Sequence, residues 1–214
     1  MKKIVLIGDS IRLGYEKYVK EAFEGVAEVY SPAENCRFAE YTLRFAHEWK
    51  SKGQWPDDVD VVHWNAGLWD VIRILGDEPL TPLCAYENFI CRIDKRLRTI
   101  FPNAKIVFAT STAIYEAGYT GTFKRLNKDI EQYNQAALSV LAKTDTRIDD
   151  LYEITKDIDD SCRSDMTHFN TENGAKTVGG AVVKCLCEIL GIDEKELSAA
   201  KAEEAKIDAD IMGV

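Results

Sequence analysis

Short runs of aliphatic and β-branched residues recur along this chain with longer stretches of helical spacing between them. That alternation restricts the fold more than any other feature of the sequence. Runs at Lys3 to Ile7, Ala27 to Tyr30, Asp60 to Trp64 and Lys105 to Thr110 read as strands, with a weaker fifth near Arg147 to Leu151, where Asp149 and Asp150 interrupt the apolar pattern. Apolar positions at helical spacing fill Leu13 to Glu24, Phe38 to Lys50, Ala85 to Ile100, Phe123 to Lys143 and Thr171 to Leu190. A run apolar at every position, such as Ile4 to Ile7, suits a strand covered on both faces. Strands joined by helices cross over right-handed, which aligns all strand C-termini along one edge of a parallel sheet.

The expected fold class is therefore α/β: a three-layer α/β/α sandwich around a flavodoxin-like, five-stranded parallel sheet of order 2-1-3-4-5. In that order the connections reverse between strands one and three, and ligands bind in the crevice beyond their C-terminal ends. Those two strands run out at Ser10 and Asn65. Breakers support the segmentation, with Gly53, Pro56 and Asp57 ahead of the third strand and Pro102 and Asn103 ahead of the fourth. Gly76 to Pro82 and Ala117 to Gly121 read as loops on the same rim.

At 214 residues, 46% hydrophobic and 29% charged, the chain suits one domain over residues 1–192. A helical tail over 193–214 either joins that domain or frays. No apolar run approaches the roughly 20 residues needed to span a bilayer, so no membrane role is expected. Met1, Lys2 and Lys3 followed by Ile4 to Ile7 imitate a secretory signal, but the apolar stretch stops at Gly8, short of the ~7 to 15 residues of a signal core. A cytoplasmic location is the expectation. The formal charge of -9 repels polyanions and argues against a nucleic-acid partner. Six dispersed cysteines with no C-x-x-C pair, and only three histidines, make no zinc motif and read as free thiols.

Chemistry concentrates in three short blocks. In IVLIGDS, Gly8 permits a sharp turn that presents Ser10 at the rim, as a nucleophile or simply, with Asp9, as a cap for the following helix. DVDVVHWNAGLWD ends the third strand at Asn65, whose amide can donate to an oxyanion, or which can serve as a turn former before a helix capped near Asp70. Gly67 lets the backbone fold closely around that point. In SDMTHFNTENGA, Asp165 precedes His168 by three residues, so the carboxylate can fix the imidazole and leave its other nitrogen to take a proton. Each block alone is weak. A D-x-x-H occurs often by chance.

Taken in order on one rim, the blocks resemble the SGNH hydrolase family, also called GDSL-type esterases, from Lys3 to about Leu190. The resemblance implies Ser10 as nucleophile, His168 as base and Asp165 as the carboxylate that steadies it. It implies an oxyanion hole of the Ser10 amide, an amide from the loop after the second strand, and an asparagine side chain. That loop reads SPAENCRFA and carries Cys36 where the family has glycine, which keeps a backbone donor but strains a positive φ. The third block reads HWNAGLWD and departs from G-x-N-D. Asn65 is assigned as the donor, while aligning Gly67 to Asp70 instead would put Trp69 in its place.

Asp9 follows from the motif as a neighbour holding the loop, and with Trp69 is a substrate-binding candidate. His63 shares a strand face with Asn65, as a partner in the site or as a satisfied core histidine, while His47 is given no role. Trp64, Trp69, Tyr115 and Tyr119 offer flat faces to a sugar ring. No metal or organic cofactor is expected. The partner expected is a small-molecule ester, an acylated sugar first, and the reaction is removal of short acyl groups, chiefly acetyl. The competing expectation is a flavodoxin-like module that holds a small ligand without turnover.

Overall fold

Ile4 to Ile7 are completely buried because their strand has a neighbour on each edge and helices on each face. The computed structural model describes residues 1–197. In chain order the elements are β1 (Lys2–Ile7), α1 (Ser10–Ala22), β2 (Ala27–Tyr30), α2 (Ala39–Gly53), β3 (Val61–Trp64), β4 (Arg73–Ile74), α3 (Leu83–Ile100), β5 (Lys105–Ala109), β6 (Phe123–Lys124), α4 (Asn127–Leu141), β7 (Arg147–Asp149), α5 (Leu151–Thr155) and α6 (Glu172–Leu190). Five strands form one parallel sheet in the order β2-β1-β3-β5-β7, which is the expected 2-1-3-4-5 counted within that sheet. Helices α1 and α6 pack together, and α2, α3 and α4 pack in series, giving the two outer layers. Among the described residues no helix is long and apolar enough to cross a membrane. The six cysteines are free thiols.

Register explains how the sheet builds a site. Ile4 to Ile7 lie opposite Val61 to Trp64, so both strands end level and release the chain at Gly8 and Asn65 together. The Asn65 amide extends the pairing by donating to the Ile7 carbonyl at 3.0 Å.

Four expectations change. The helix expected from Phe123 starts only at Asn127, because Phe123 and Lys124 pair antiparallel with Ile74 and Arg73 in a ribbon too short to show a period. No helix begins between Asn65 and Leu83, where α3 starts. Asp70, expected near the cap of such a helix, instead receives the Ala39 amide on both carboxylate oxygens, at 3.2 and 3.1 Å. It thereby caps α2, whose own preceding residue, Phe38, has no side-chain acceptor to offer. Leu151 begins α5, so the fifth strand stops at Asp149. Trp64 is fully buried against Phe108, 4.8 Å between ring centroids, and does not reach the rim. Of the expected tail, 198–214 lie outside the described residues.

His63 is also fully buried, and its neighbours choose between the two sequence readings. Nε2 lies 2.8 Å from Asp149 Oδ2 and Nδ1 3.5 Å from the Tyr15 hydroxyl. The pair ties β3 to β7 across β5 and satisfies the two polar side chains that interrupt the apolar strands.

Burial pushes the Asp70 carboxyl up to about 7; the Thr81 hydroxyl and the Ala39 amide oppose this, and the nearby Asp9 reinforces it. A carboxyl raised above its unfolded value, about 4, binds a proton on folding, so it makes stability fall as pH rises from about 4 to about 7. Asp70→Asn keeps an acceptor for Ala39 and removes the titration. Urea unfolding at pH 5 and pH 8 is expected to show the wild type losing stability relative to Asp70→Asn by roughly 1 kcal/mol per pH unit across that window. A difference between the two proteins that stays constant with pH contradicts this account.

Candidate active site

Gly8 is required by crowding. Its φ is not in the left-handed region, but a Cβ there would stand 1.9 Å from Asn65 Oδ1 and 2.8 Å from Arg12 Cβ. The absent side chain lets the end of β3 close on the turn leaving β1. The next residue settles which group caps α1. Asp9 Oδ1 accepts the Ile11 amide at 2.9 Å, which leaves the Ser10 hydroxyl free of capping. Ser10 is the first residue of α1, where the amide dipoles concentrate partial positive charge.

The Ser10 hydroxyl lies 2.8 Å from His168 Nε2, and His168 Nδ1 lies 2.7 Å from Asp165 Oδ2. The other Asp165 oxygen accepts the amides of Thr167 and His168 at 2.7 and 2.9 Å. Partial burial works to raise the Asp165 pKa, but those two amides and the imidazole outweigh it and hold the carboxyl below its ordinary range. An ionised Asp165 accepts from Nδ1–H, so Nε2 presents its lone pair to the serine O–H. Thr171 caps α6 by accepting the Gly174 amide at 3.0 Å and anchors the approach to it by donating to the Cys162 carbonyl at 2.9 Å. Ser164 donates to the His168 carbonyl at 2.9 Å, closing the loop that carries the histidine.

Asn65 is 3% exposed and sits against Gly8, beside the Asp9 carboxyl. Asp9 is completely buried, so it caps a helix and cannot touch a ligand, which corrects its placement among the substrate-binding residues. Burial raises its pKa against the pull of the Ile11 amide, Asn65, Arg125 and His168. Gly67, at φ +145°, holds the following loop close: a Cβ there would lie 2.3 Å from Ser111 Oγ.

Cys36 is the second correction. Its amide donates to the Gly8 carbonyl at 3.1 Å and is committed to that bond, not left open to an oxyanion. Its thiol is fully buried, and burial pushes it up to about 12. The left-handed residue of that loop is Arg37, at φ +52°, whose amide donates to Asn35 Oδ1 at 2.8 Å. The loop is therefore clamped to the serine turn. Arg12, unassigned by sequence reasoning, completes the clamp: it is fully buried, salt-bridged to Glu16, and donates to the carbonyls of Pro32 at 3.1 Å and Glu34 at 2.6 Å. A charge inside GDSIRLG, two residues past the serine, was the signal available for it.

Ser10, His168 and Asp165 open into a cleft of about 410 Å³ whose walls include Trp69, Phe123, Arg125 and Thr167. Trp69 thus reaches the site. Tyr119 stands behind the wall, its hydroxyl 2.5 Å from Thr167 Oγ1. A concavity of about 310 Å³ at the opposite edge of the sheet, around Lys105, Arg147 and Glu188, holds no serine or histidine.

No protein-family model and no curated protein matches the sequence. Solved structures match its shape. A lipase/acylhydrolase from Enterococcus faecalis superposes with a TM-score of 0.68 at 19% identity, covering 87% of this chain and 95% of that one. An acetyl xylan esterase gives 0.65 at 18% identity over 86% of this chain and 98% of that one. A GDSL-like lipase from Bacteroides thetaiotaomicron gives 0.67 at 13% identity, covering 87% and 88%. The chain has the fold these hydrolases share.

Crowding at Gly8 yields a paired prediction. Gly8→Ala is expected to destabilise the protein by about 1–3 kcal/mol in urea unfolding. Gly180→Ala, in α6 with nothing within 4 Å of the added Cβ, is expected to stabilise it by up to about 1 kcal/mol. Equal effects at the two sites would show that no close approach constrains Gly8.

Proposed function

We propose that the protein is a serine ester hydrolase that removes short acyl groups, acetyl first, from carbohydrate esters. The observation that carries this reading is the unbroken chain from Ser10 Oγ through the His168 ring to Asp165, with contacts of 2.8 and 2.7 Å. Ser10 Oγ attacks the ester carbonyl carbon while its proton passes to His168 Nε2, and ionised Asp165 stabilises the imidazolium. The negative charge on the carbonyl oxygen develops at the N-terminus of α1, where the Ser10 amide and the Asn65 side chain are the donors. Collapse breaks the bond to the alcohol, which leaves with the proton from His168 and leaves acyl-Ser10 behind. Water then attacks the acyl carbon with His168 as base, releasing the carboxylic acid and restoring Ser10.

The sugar preference rests on Trp69 and Phe123 in the cleft wall, whose faces suit ring stacking, and on likeness of shape to an acetyl xylan esterase. The distance from serine to imidazole disfavours the alternative of a module that only binds, since such a module needs no activated hydroxyl.

Fluorophosphonate is expected to label wild-type protein rapidly and Ser10→Ala not at all. Ser10→Ala is expected to lose at least ~10³-fold in kcat on p-nitrophenyl acetate, and Asp165→Asn about 10⁴-fold, because amide in place of carboxylate favours the wrong imidazole tautomer. Equal turnover by wild type and Ser10→Ala ends the hydrolase reading. Across a panel, acetylated sugars are expected to exceed p-nitrophenyl esters of rising chain length in kcat/KM. Highest activity on long-chain esters would replace the sugar by a lipid.

A further inference from the structure

Arg125 is held in the wall of the same cleft and is only 6% exposed. Its Nε donates to the Leu68 carbonyl at 2.5 Å, its Nη1 reaches the Tyr119 hydroxyl at 3.1 Å and Thr167 Oγ1 at 3.4 Å, and the guanidinium lies 5.0 Å from the centre of the Phe123 ring. All of these partners are neutral. Arg12, Arg73 and Arg98 face Glu16, Asp129 and Asp94, whereas among the described residues no carboxylate makes an ion pair with Arg125. The acid that feels its charge, Asp9, is sealed beneath the serine turn. Among the described residues Nη2 has no hydrogen-bond partner and is not one of the sealed polar atoms, in a side chain that lines the cleft.

A guanidinium taken out of water without a counter-ion is costly, and its planar fork of N–H donors matches a carboxylate. We propose that Arg125 is a specificity-determining residue that binds a carboxylate carried by the ester substrate, so that anionic esters are taken in preference to neutral ones of the same size. The inference rests on the ester-hydrolase reading and narrows its substrate class. With a net charge of -9 the protein as a whole repels such a substrate, so selection requires a cation inside the site. The carboxylate belongs either to the acyl part, as in a half-ester of a dicarboxylic acid, or to the alcohol part, as in an acetylated sugar acid.

Two matched pairs separate these sources. Values of kcat/KM for ethyl hydrogen succinate against ethyl butyrate test the acyl side, and those for acetylated methyl glucuronide against acetylated methyl glucoside test the alcohol side. The wild type is expected to favour the charged member of one pair by about 10- to 100-fold, as a charge-assisted, two-point contact provides. Arg125→Gln is expected to lose most of that ratio and Arg125→Lys to keep part of it, with fluorophosphonate labelling confirming that each variant is folded around Ser10. No preference for the charged member of either pair in wild type, or a preference that survives in Arg125→Gln, overturns the proposal. Calorimetric titration of succinate and of glucuronate decides the anion site independently of turnover. Binding to wild type that is lost in Arg125→Gln sustains the site even if no ester is hydrolysed, and absence of binding to wild type overturns it.

Discussion

The site depends on how closely the chain leaving β1 and the chain leaving β3 can approach. Parallel pairing with Ile7 opposite Trp64 makes the two strands end level, and a glycine at position 8 lets Asn65 pack where any side chain would stand. Once those ends meet, the rest of the rim falls into place around them. Asp9 starts α1 and presents Ser10, while the Cys36 amide and the Arg12 guanidinium pull the loop after β2 against the same turn. A single close approach, of the Asn65 side chain to Gly8, thus fixes the position of the serine turn before His168 is considered.

His168 arrives from the far end of the chain, 158 residues from Ser10. Its loop is rigid for local reasons: Asp165 accepts two amides of its own turn, and Ser164 closes back on the His168 carbonyl. The packing of α6 on α1 brings that preformed loop to the serine. Division of labour among carboxylates follows from their surroundings. Asp165, half-exposed and surrounded by donors, stays ionised, whereas Asp9 and Asp70, buried below the site, are pushed toward the neutral form and serve as helix caps.

Much of this was legible in the sequence where a local rule has one outcome. Continuous apolar runs marked the buried strands, breakers marked their limits, and the spacing of Asp165 and His168 within one turn marked a pair that needs no tertiary help to form. Short elements were less legible. Two residues of strand at Phe123 and Lys124 have no periodicity, so they read as the start of the helix that begins at Asn127. Asp70 was visible as a capping residue but attached to the wrong helix, because a cap contributed from 31 residues away leaves no trace in local order. Cys36 shows the reverse failure: alignment with a motif supplied a donor, and a hydrogen bond to Gly8 had already taken it.

By itself the sequence determined the α/β layering and the strand ends that carry Ser10 and Asn65, since hydrophobic periodicity marks the elements and right-handed crossover aligns parallel strands, while the order 2-1-3-4-5 was expected from the flavodoxin-like pattern and the place of His168 from the family resemblance. Tertiary structure alone decided which groups are available at the rim. Whether a donor is spent or open, a carboxylate ionised or sealed, and a guanidinium paired or facing the cleft depends on neighbours distant in the chain, and on the water that packing removes.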